Sequence, residues 1–367
     1  MSFNSGIYDS HLHTHGGCGV DAYLRNCLDS LSAAGIDGAN LLCVRHGRSS
    51  CITDAEALLA KALYPGKFTV YCHPAIDFEG FDNTPEGIRA QVQAFIDAGA
   101  DGLKIADGNA GKEPLDSPMF DPVFDLIEET GFPVIYHVGS TVEYPPRRTF
   151  QKNRHLTDLP PFMRHRPGID DDREAQPGIR AEVMEEKYAQ IENLLNRHPK
   201  ARITFPHMFY MSNDLDRLSS FLDRHPAVNV DLTPVNEIYY HFAQNAERAR
   251  EFLITYRDRV FLGTDNDTES DPLTRIIVFR RLFETDETFF VPQYGFDMKG
   301  LAPFPEEARR KIYGEGFLKM CGPKPLNPRK AAEYCDYLYE RIRNFDELPA
   351  ANKEEVLEVA KRLRSII

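Results

Sequence analysis

The sequence has no C-x-x-C pair, no leader-like start and no long apolar run, and each absence removes a class of protein. Its seven cysteines, Cys18, Cys27, Cys43, Cys51, Cys72, Cys321 and Cys335, are odd in number and scattered. Neither a disulfide framework nor a thiolate zinc cage is expected from that spacing. Residues 1–8 lack a basic stretch followed by an apolar one, so no secretory signal is expected. No apolar stretch approaches the roughly 18 residues of a membrane span. Together these point to a reducing, cytoplasmic setting. Positive charge is also scarce: 43 Lys and Arg stand against 56 Asp and Glu, a formal net charge of −13. That balance argues against a nucleic-acid backbone or a membrane as partner. It leaves a small-molecule substrate, even an anionic one held by local arginines. At 42% hydrophobic and 27% charged, the chain has ordinary globular composition and the length to build its own core.

What is present is alternation. Short β-branched runs at 6–13, 38–44, 68–76, 102–106, 133–138, 202–207, 228–232 and 259–265 read as eight strands. Between them, 21–34, 54–63, 84–98, 119–130, 182–198, 214–224, 244–256 and 272–283 carry apolar residues at helical spacing. Thr53-Asp54, Asn83-Thr84-Pro85 and Asp271-Pro272 supply start signals, and Gly35, Gly99 and Gly131 fall where helices end. Eight such units predict a closed (β/α)₈ TIM barrel of the α/β class. The rival open sheet would usually carry G-x-G-x-x-G after its first strand, where this chain has His11-Leu12-His13. Two segments exceed a barrel. Residues 140–181, rich in Pro, Arg and Asp, follow the fifth strand and are expected to form a lid over the active face. Residues 324–367 hold two further helical patterns, 328–345 and 352–366. The expected division is thus a barrel over 1–323 and a helical extension over 324–367. That extension packs on the barrel or on a second subunit, which leaves room for a homo-oligomer.

Chemistry gathers at the strand ends. His11 and His13, two apart on the first strand, face one side and can share a divalent ion. The fifth strand closes on His137, the sixth on His207 and the eighth on Asp265 in Gly263-Thr264-Asp265. Any one of these is a weak signal. Jointly they place metal-competent side chains on the face that carries active sites in such barrels.

The Asp9-x-His11-x-His13 motif, Pro133-Val134-x-x-His137, the sixth-strand histidine and Gly-Thr-Asp265 resemble the amidohydrolase superfamily. More narrowly they resemble its amidohydrolase-related branch, which includes aminocarboxymuconate-semialdehyde decarboxylase. Residues 309–317 are similar to the closing helix of that branch, with Gly316 in place of its usual asparagine. The resemblance covers about residues 7–322. It implies one divalent metal ion, zinc by donor type, held by His11, His13, His137 and Asp265. It also implies that His207 touches the bound water or the substrate carbonyl. Neutral imidazoles and one carboxylate leave an open position for water. Asp265 can ligate and also take a proton, while His207 can hold an oxyanion. Lys104 ends the fourth strand. Binuclear members carry a carbamylated lysine there that bridges two metals, but the branch resembled is usually mononuclear, so Lys104 is expected to salt-bridge or bind substrate.

Arg45 and His46 after the second strand, and Arg147, Arg148 and Arg164 in the lid, are candidate substrate contacts. His73 is a core histidine or a mouth residue, and Asp231 is placed to orient a ligand or water. Tyr239, Tyr240 and His241 read as packing or rim. The expected activity is metal-dependent hydrolysis of an amide, ester or lactone in a small, carboxylate-bearing substrate. Decarboxylation or hydration on the same site is the alternative, and a catalytically silent barrel is the alternative from another class.

Overall fold

The computed structural model describes residues 6–44, 52–76, 78, 80–106, 113–139, 177–234, 236–268, 273–291, 296–346 and 348–366. Nine strands form one parallel sheet: β1 (Tyr8–His13), β2 (Gly38–Leu42), β3 (Phe68–Cys72), β4 (Gly102–Ala106), β5 (Val134–His137), β6 (Ile203–Phe205), β7 (Asn229–Asp231), β8 (Val260–Phe261) and β9 (Asn266–Asp267). Their order is β8-β7-β6-β5-β4-β3-β2-β1-β9. Its two ends are one stretch of chain. Leu232 N donates to Phe261 O (2.8 Å) on one side; on the other, Ser10 N donates to Leu262 O and Asp265 N to His11 O (both 2.9 Å). The eighth strand therefore bridges β7 and β1, and the sheet closes into the (β/α)₈ barrel that the alternation predicts. Gly263 makes the closure possible, since a Cβ there would lie 2.6 Å from His11 Cβ.

The surrounding helices are α1 (Val20–Ala34), α2 (Thr53–Leu63), α3 (Pro85–Ala98), α4 (Asp121–Thr130), α5 (Pro177–Arg197), α6 (Leu215–Arg224), α7 (Asn236–Gln244), α8 (Ala246–Thr255) and α9 (Leu273–Glu284). Thr84 caps α3 by accepting from Gly87 N, and Gly35, Gly99 and Gly131 end their helices in the left-handed region. The Thr53-Asp54 signal works differently. Ile52 is the N-cap, and the Asp54 carboxylate turns inward to accept from His73 N and Tyr334 Oη, both at 2.9 Å. Two features were not expected: α7, and an antiparallel hairpin of β10 (Thr288–Val291) and β11 (Phe296–Lys299).

The barrel floor is a cluster of Tyr8, Leu42, Tyr71, Ile135, Phe261, Phe317 and Cys321. Phe317 plugs it, with ring centroids 5.8 Å from Tyr8 and Phe261 and 6.1 Å from Tyr71. It stands on α11 (Gly316–Cys321), which follows α10 (Glu306–Arg310). The helical segment predicted at 309–317 thus closes the bottom of the barrel.

The C-terminal helices α12 (Pro328–Ile342) and α13 (Ala350–Ser365) pack on each other and on α2 and α3. Tyr334 meets Phe95 at 5.2 Å. The extension therefore covers the barrel's own flank. No helix among the described residues is long and apolar enough to cross a membrane. The lid expected at 140–181 lies outside the described residues up to 176.

Candidate metal centre

β1 reaches the mouth through an irregularity. Its register against β2 slips between Asp9 and Leu12, a bulge that re-aims the side chains beyond it. Tyr8 thus lies in the floor and Leu12 in the outer core, while the imidazoles of His11 and His13 come together above the floor. Asp9 anchors the bulge. Its buried carboxylate accepts from His11 N, Thr264 N and Thr264 Oγ1 (2.5–3.0 Å), tying β1 to the eighth strand.

The Nε2 atoms of His11 and His13 are 3.2 Å apart. Asp265 Oδ1 lies 3.5 Å from the first and 3.1 Å from the second. Donor atoms of these three residues fall within 4.8 Å of one another, the crowding expected around a single ion. The tautomer suits one. His11 Nδ1 lies 2.8 Å from Asp231 Oδ2; a carboxylate only accepts, so Nδ1 carries the proton and Nε2 is bare. Burial, with the charge of Lys104, lowers the His11 pKa to about 4, keeping the ring neutral. Asp265 is pulled well below the carboxylate range, because the His13 hydrogen bond and the charges of His207 and His11 outweigh its burial. His13 Nε2 and Asp265 Oδ1 thus face each other at the spacing of two donors that would share one cation.

His137 and His207 stand beside this trio. Their rings meet edge to face at 5.2 Å, and His207 lies 6.3 Å from His11. His137 Nε2 is 3.2 Å from Tyr210 Oη, so this expected ligand is engaged by a phenol. Burial, with the charges of His207 and Lys104, pushes the His137 pKa well down. His207 Nδ1 faces the Thr233 carbonyl at 3.1 Å, an acceptor, so its Nε2 is also bare. Asp231 Oδ1 collects His207 N (3.0 Å), Thr233 N (3.1 Å) and Thr233 Oγ1 (2.5 Å). Lys104 is buried in the mouth; burial lowers its pKa to about 8 against the pull of Asp231 and Asp265.

A family model described as Amidohydrolase matches residues 73–316, about two thirds of the chain. The chain belongs to the amidohydrolase family. Among solved structures, this amidohydrolase is similar to an uncharacterized TIM-barrel protein from Bordetella bronchiseptica, at 16% identity and TM-score 0.53, covering 86% of this chain and 99% of that one. It is also similar to 4-oxalomesaconate hydratase from Rhodopseudomonas palustris (14%, TM-score 0.51, 86% and 96% covered). A third is 2,6-dihydroxybenzoate decarboxylase from Rhizobium (11%, TM-score 0.50, 87% and 99% covered). No curated protein matches the amidohydrolase sequence. These likenesses speak to the barrel fold.

Of the residues singled out by sequence, the structure gathers His11, His13, Asp265, His137, His207 and Lys104, with Asp231 behind His11. Arg45, His46, Arg147, Arg148 and Arg164 lie outside the described residues. His73 is a satisfied core histidine, its Nδ1 on Pro74 O at 2.7 Å. His15 sits on the loop beside Asp267 (3.3 Å). Tyr240 packs on Phe296, and His241 bonds Ser212 Oγ. Sequence reasoning missed the parts played by Asp9, Thr233, Thr264 and Tyr210.

Proposed function

We propose that the chain is a metal-dependent hydrolase that cleaves an amide, ester or lactone bond of a small, carboxylate-bearing substrate. The observation that carries this reading is the convergence of His11 Nε2, His13 Nε2 and Asp265 Oδ1 at the mouth of the barrel. Two imidazole nitrogens and a carboxylate oxygen fit a zinc-like ion, and His137 is the fourth donor. Such an ion, when bound, supplies positive charge that acidifies water and polarises a carbonyl. Asp265, held ionised, is the group placed to take a proton from water. His207 has its Nδ1 proton committed to Thr233; once Nε2 has taken a proton from solvent, the imidazolium, near the Asp231 carboxylate, would donate a hydrogen bond to the oxygen on which charge develops. Lys104 is a desolvated cation in the same mouth and suits a substrate carboxylate.

Decarboxylation is a second reading, favoured by the same lysine. A substrate carboxylate anchored on Lys104 would lie beside the Asp231 and Asp265 carboxylates, whose repulsion eases its loss as carbon dioxide, the electron pair left on carbon taking a proton from solvent. The fold is shared with structures described as a hydratase and a decarboxylase.

Elemental analysis of the native protein should find about one divalent ion per chain, zinc by donor type. His207→Ala should leave that content near wild type and lower kcat by about 10²–10³, whereas Asp265→Asn should lower both. Release of carbon dioxide from substrate would select the second reading. A protein that holds no ion and binds none on titration would remove the metal-site reading altogether, and about two ions per chain would bring back Lys104 as a bridge.

A further inference from the structure

Pro206 follows β6, and the chain then makes a turn that L-residues rarely make. His207, Met208, Phe209 and Tyr210 have φ of 56, 51, 54 and 55°, and none is glycine. Each such residue costs roughly 1–2 kcal/mol, so four in succession persist only where the surroundings hold them. The holding is visible. Phe209 stacks on Phe205 at 4.2 Å, and Tyr188 Oη donates to the carbonyls of Phe209 (3.1 Å) and Tyr210 (3.3 Å). A left-handed turn throws its first and fourth side chains to one side. His207 and Tyr210 accordingly lie together, with ring centroids 5.2 Å apart, and both face His137. The strained turn thus delivers a phenol to the mouth of the site, where its hydroxyl is 3.2 Å from His137 Nε2.

The geometry points to Tyr210 as a gate on the metal site, competing with the ion for the lone pair of His137 Nε2. This rests on the metal-site reading above. The phenol lies within hydrogen-bond distance of Nε2, the atom that the metal-site reading gives to the ion, and as an acceptor Nε2 takes the phenol's O–H. One lone pair cannot serve both the phenol and an ion, so full coordination requires the phenol to leave His137. Tyr210 is then a positioning residue: it holds the fourth donor until the ion displaces it, and it weakens ion binding by what its hydrogen bond is worth.

The test is zinc affinity, measured by chelator competition on the full chain. Tyr210→Phe keeps the ring and its packing and removes only the hydroxyl. It should bind zinc about 3- to 10-fold more tightly than wild type, the value of one net hydrogen bond. In a His137→Ala background the same change should have no effect. A Tyr210→Phe protein that binds zinc equally or more weakly overturns the gate; the weaker case would make Tyr210 a ligand. Wild type that takes up no zinc overturns the underlying metal reading instead, which keeps the two failures apart. Should Tyr210→Phe fail to fold, wild type alone decides. Zinc should produce a tyrosine blue shift in the ultraviolet difference spectrum as one phenol loses its acceptor, and its absence in zinc-loaded protein overturns the gate.

Discussion

At the residue scale, Asp231 is the hinge of the candidate site. It accepts the His11 Nδ1 proton on one oxygen and three donors on the other. Those three hold the carboxylate in one orientation, and the carboxylate in turn fixes the His11 tautomer that leaves Nε2 for an ion. Burial opposes its ionisation, but the charge and hydrogen bond of His11 hold its pKa below the usual range. Asp231→Asn preserves shape and removes the charge. It should weaken zinc binding by about 10- to 100-fold, the usual cost of losing a residue that orients a ligand histidine, with a melting transition that stays cooperative. Unchanged zinc affinity would show that something else sets the tautomer. The histidines and Asp265 were legible in the sequence because strand-end position and a two-residue period suffice to place them. The pairing of Asp9 with Thr264 was not, because they meet across 255 positions and alternation carries no information about partners. Tyr210 was hidden for a different reason. A left-handed turn announces itself through Gly, Asn or Asp, and His-Met-Phe-Tyr contains none.

At the scale of elements, the junction of α2 with α13 contains two carboxylic acids in contact. Glu56 is buried and accepts from Gly17 N at 3.2 Å, and the Glu355 carboxyl adjoins it. Burial, with the neighbouring Glu355 carboxyl, raises the Glu56 pKa well above that of an ordinary glutamate. A carboxyl raised in the folded state binds its proton more tightly there than in the unfolded chain. Its contribution is fully present below the ordinary value of about 4.5 and is lost as pH rises through the folded value. Glu56→Gln keeps the acceptor for Gly17 and gives Glu355 a permanent donor. The variant should match wild type near pH 4.5 and melt about 1–3 °C higher at pH 8. A pH-independent difference would show that no shared proton sits there. Elements with caps and a clean period, such as α3 and α6, were readable. The hairpin of β10 and β11 was not, because Phe290 is 57% exposed while Phe289 is buried, so apolar residues occupy both faces and blur the alternation.

At the scale of the whole molecule, eight βα units and two C-terminal helices were countable in the sequence, yet which surface those two helices cover was not. α2 shows why the cover matters. Every residue from Thr53 to Lys61 is buried, whereas an outer barrel helix usually keeps one face in water. The sheet covers one side of α2, and α12 and α13 cover the other. Backbone bonds reinforce that cover: Lys324 N donates to Asp101 Oδ1 (3.1 Å) and Asn327 N to Ala98 O (2.9 Å). Leu338, Ile342, Val359 and Leu363 join the same core as the barrel's outer layer. A chain cut after Pro323 would therefore expose a contiguous apolar face on α2 and α3, larger than soluble monomers tolerate. It would also leave the buried Asp54 without Tyr334. We expect residues 1–323 alone to be insoluble, or to bind a hydrophobic dye and melt at least about 10 °C below the full chain, since several core contacts of a few kcal/mol each are lost at once. Supplying residues 324–367 as a separate peptide during refolding should recover solubility in part. A truncated chain that is soluble, dye-negative and as stable as the whole would mean that the C-terminal helices are an appendage after all, and that the burial of α2 is satisfied without them.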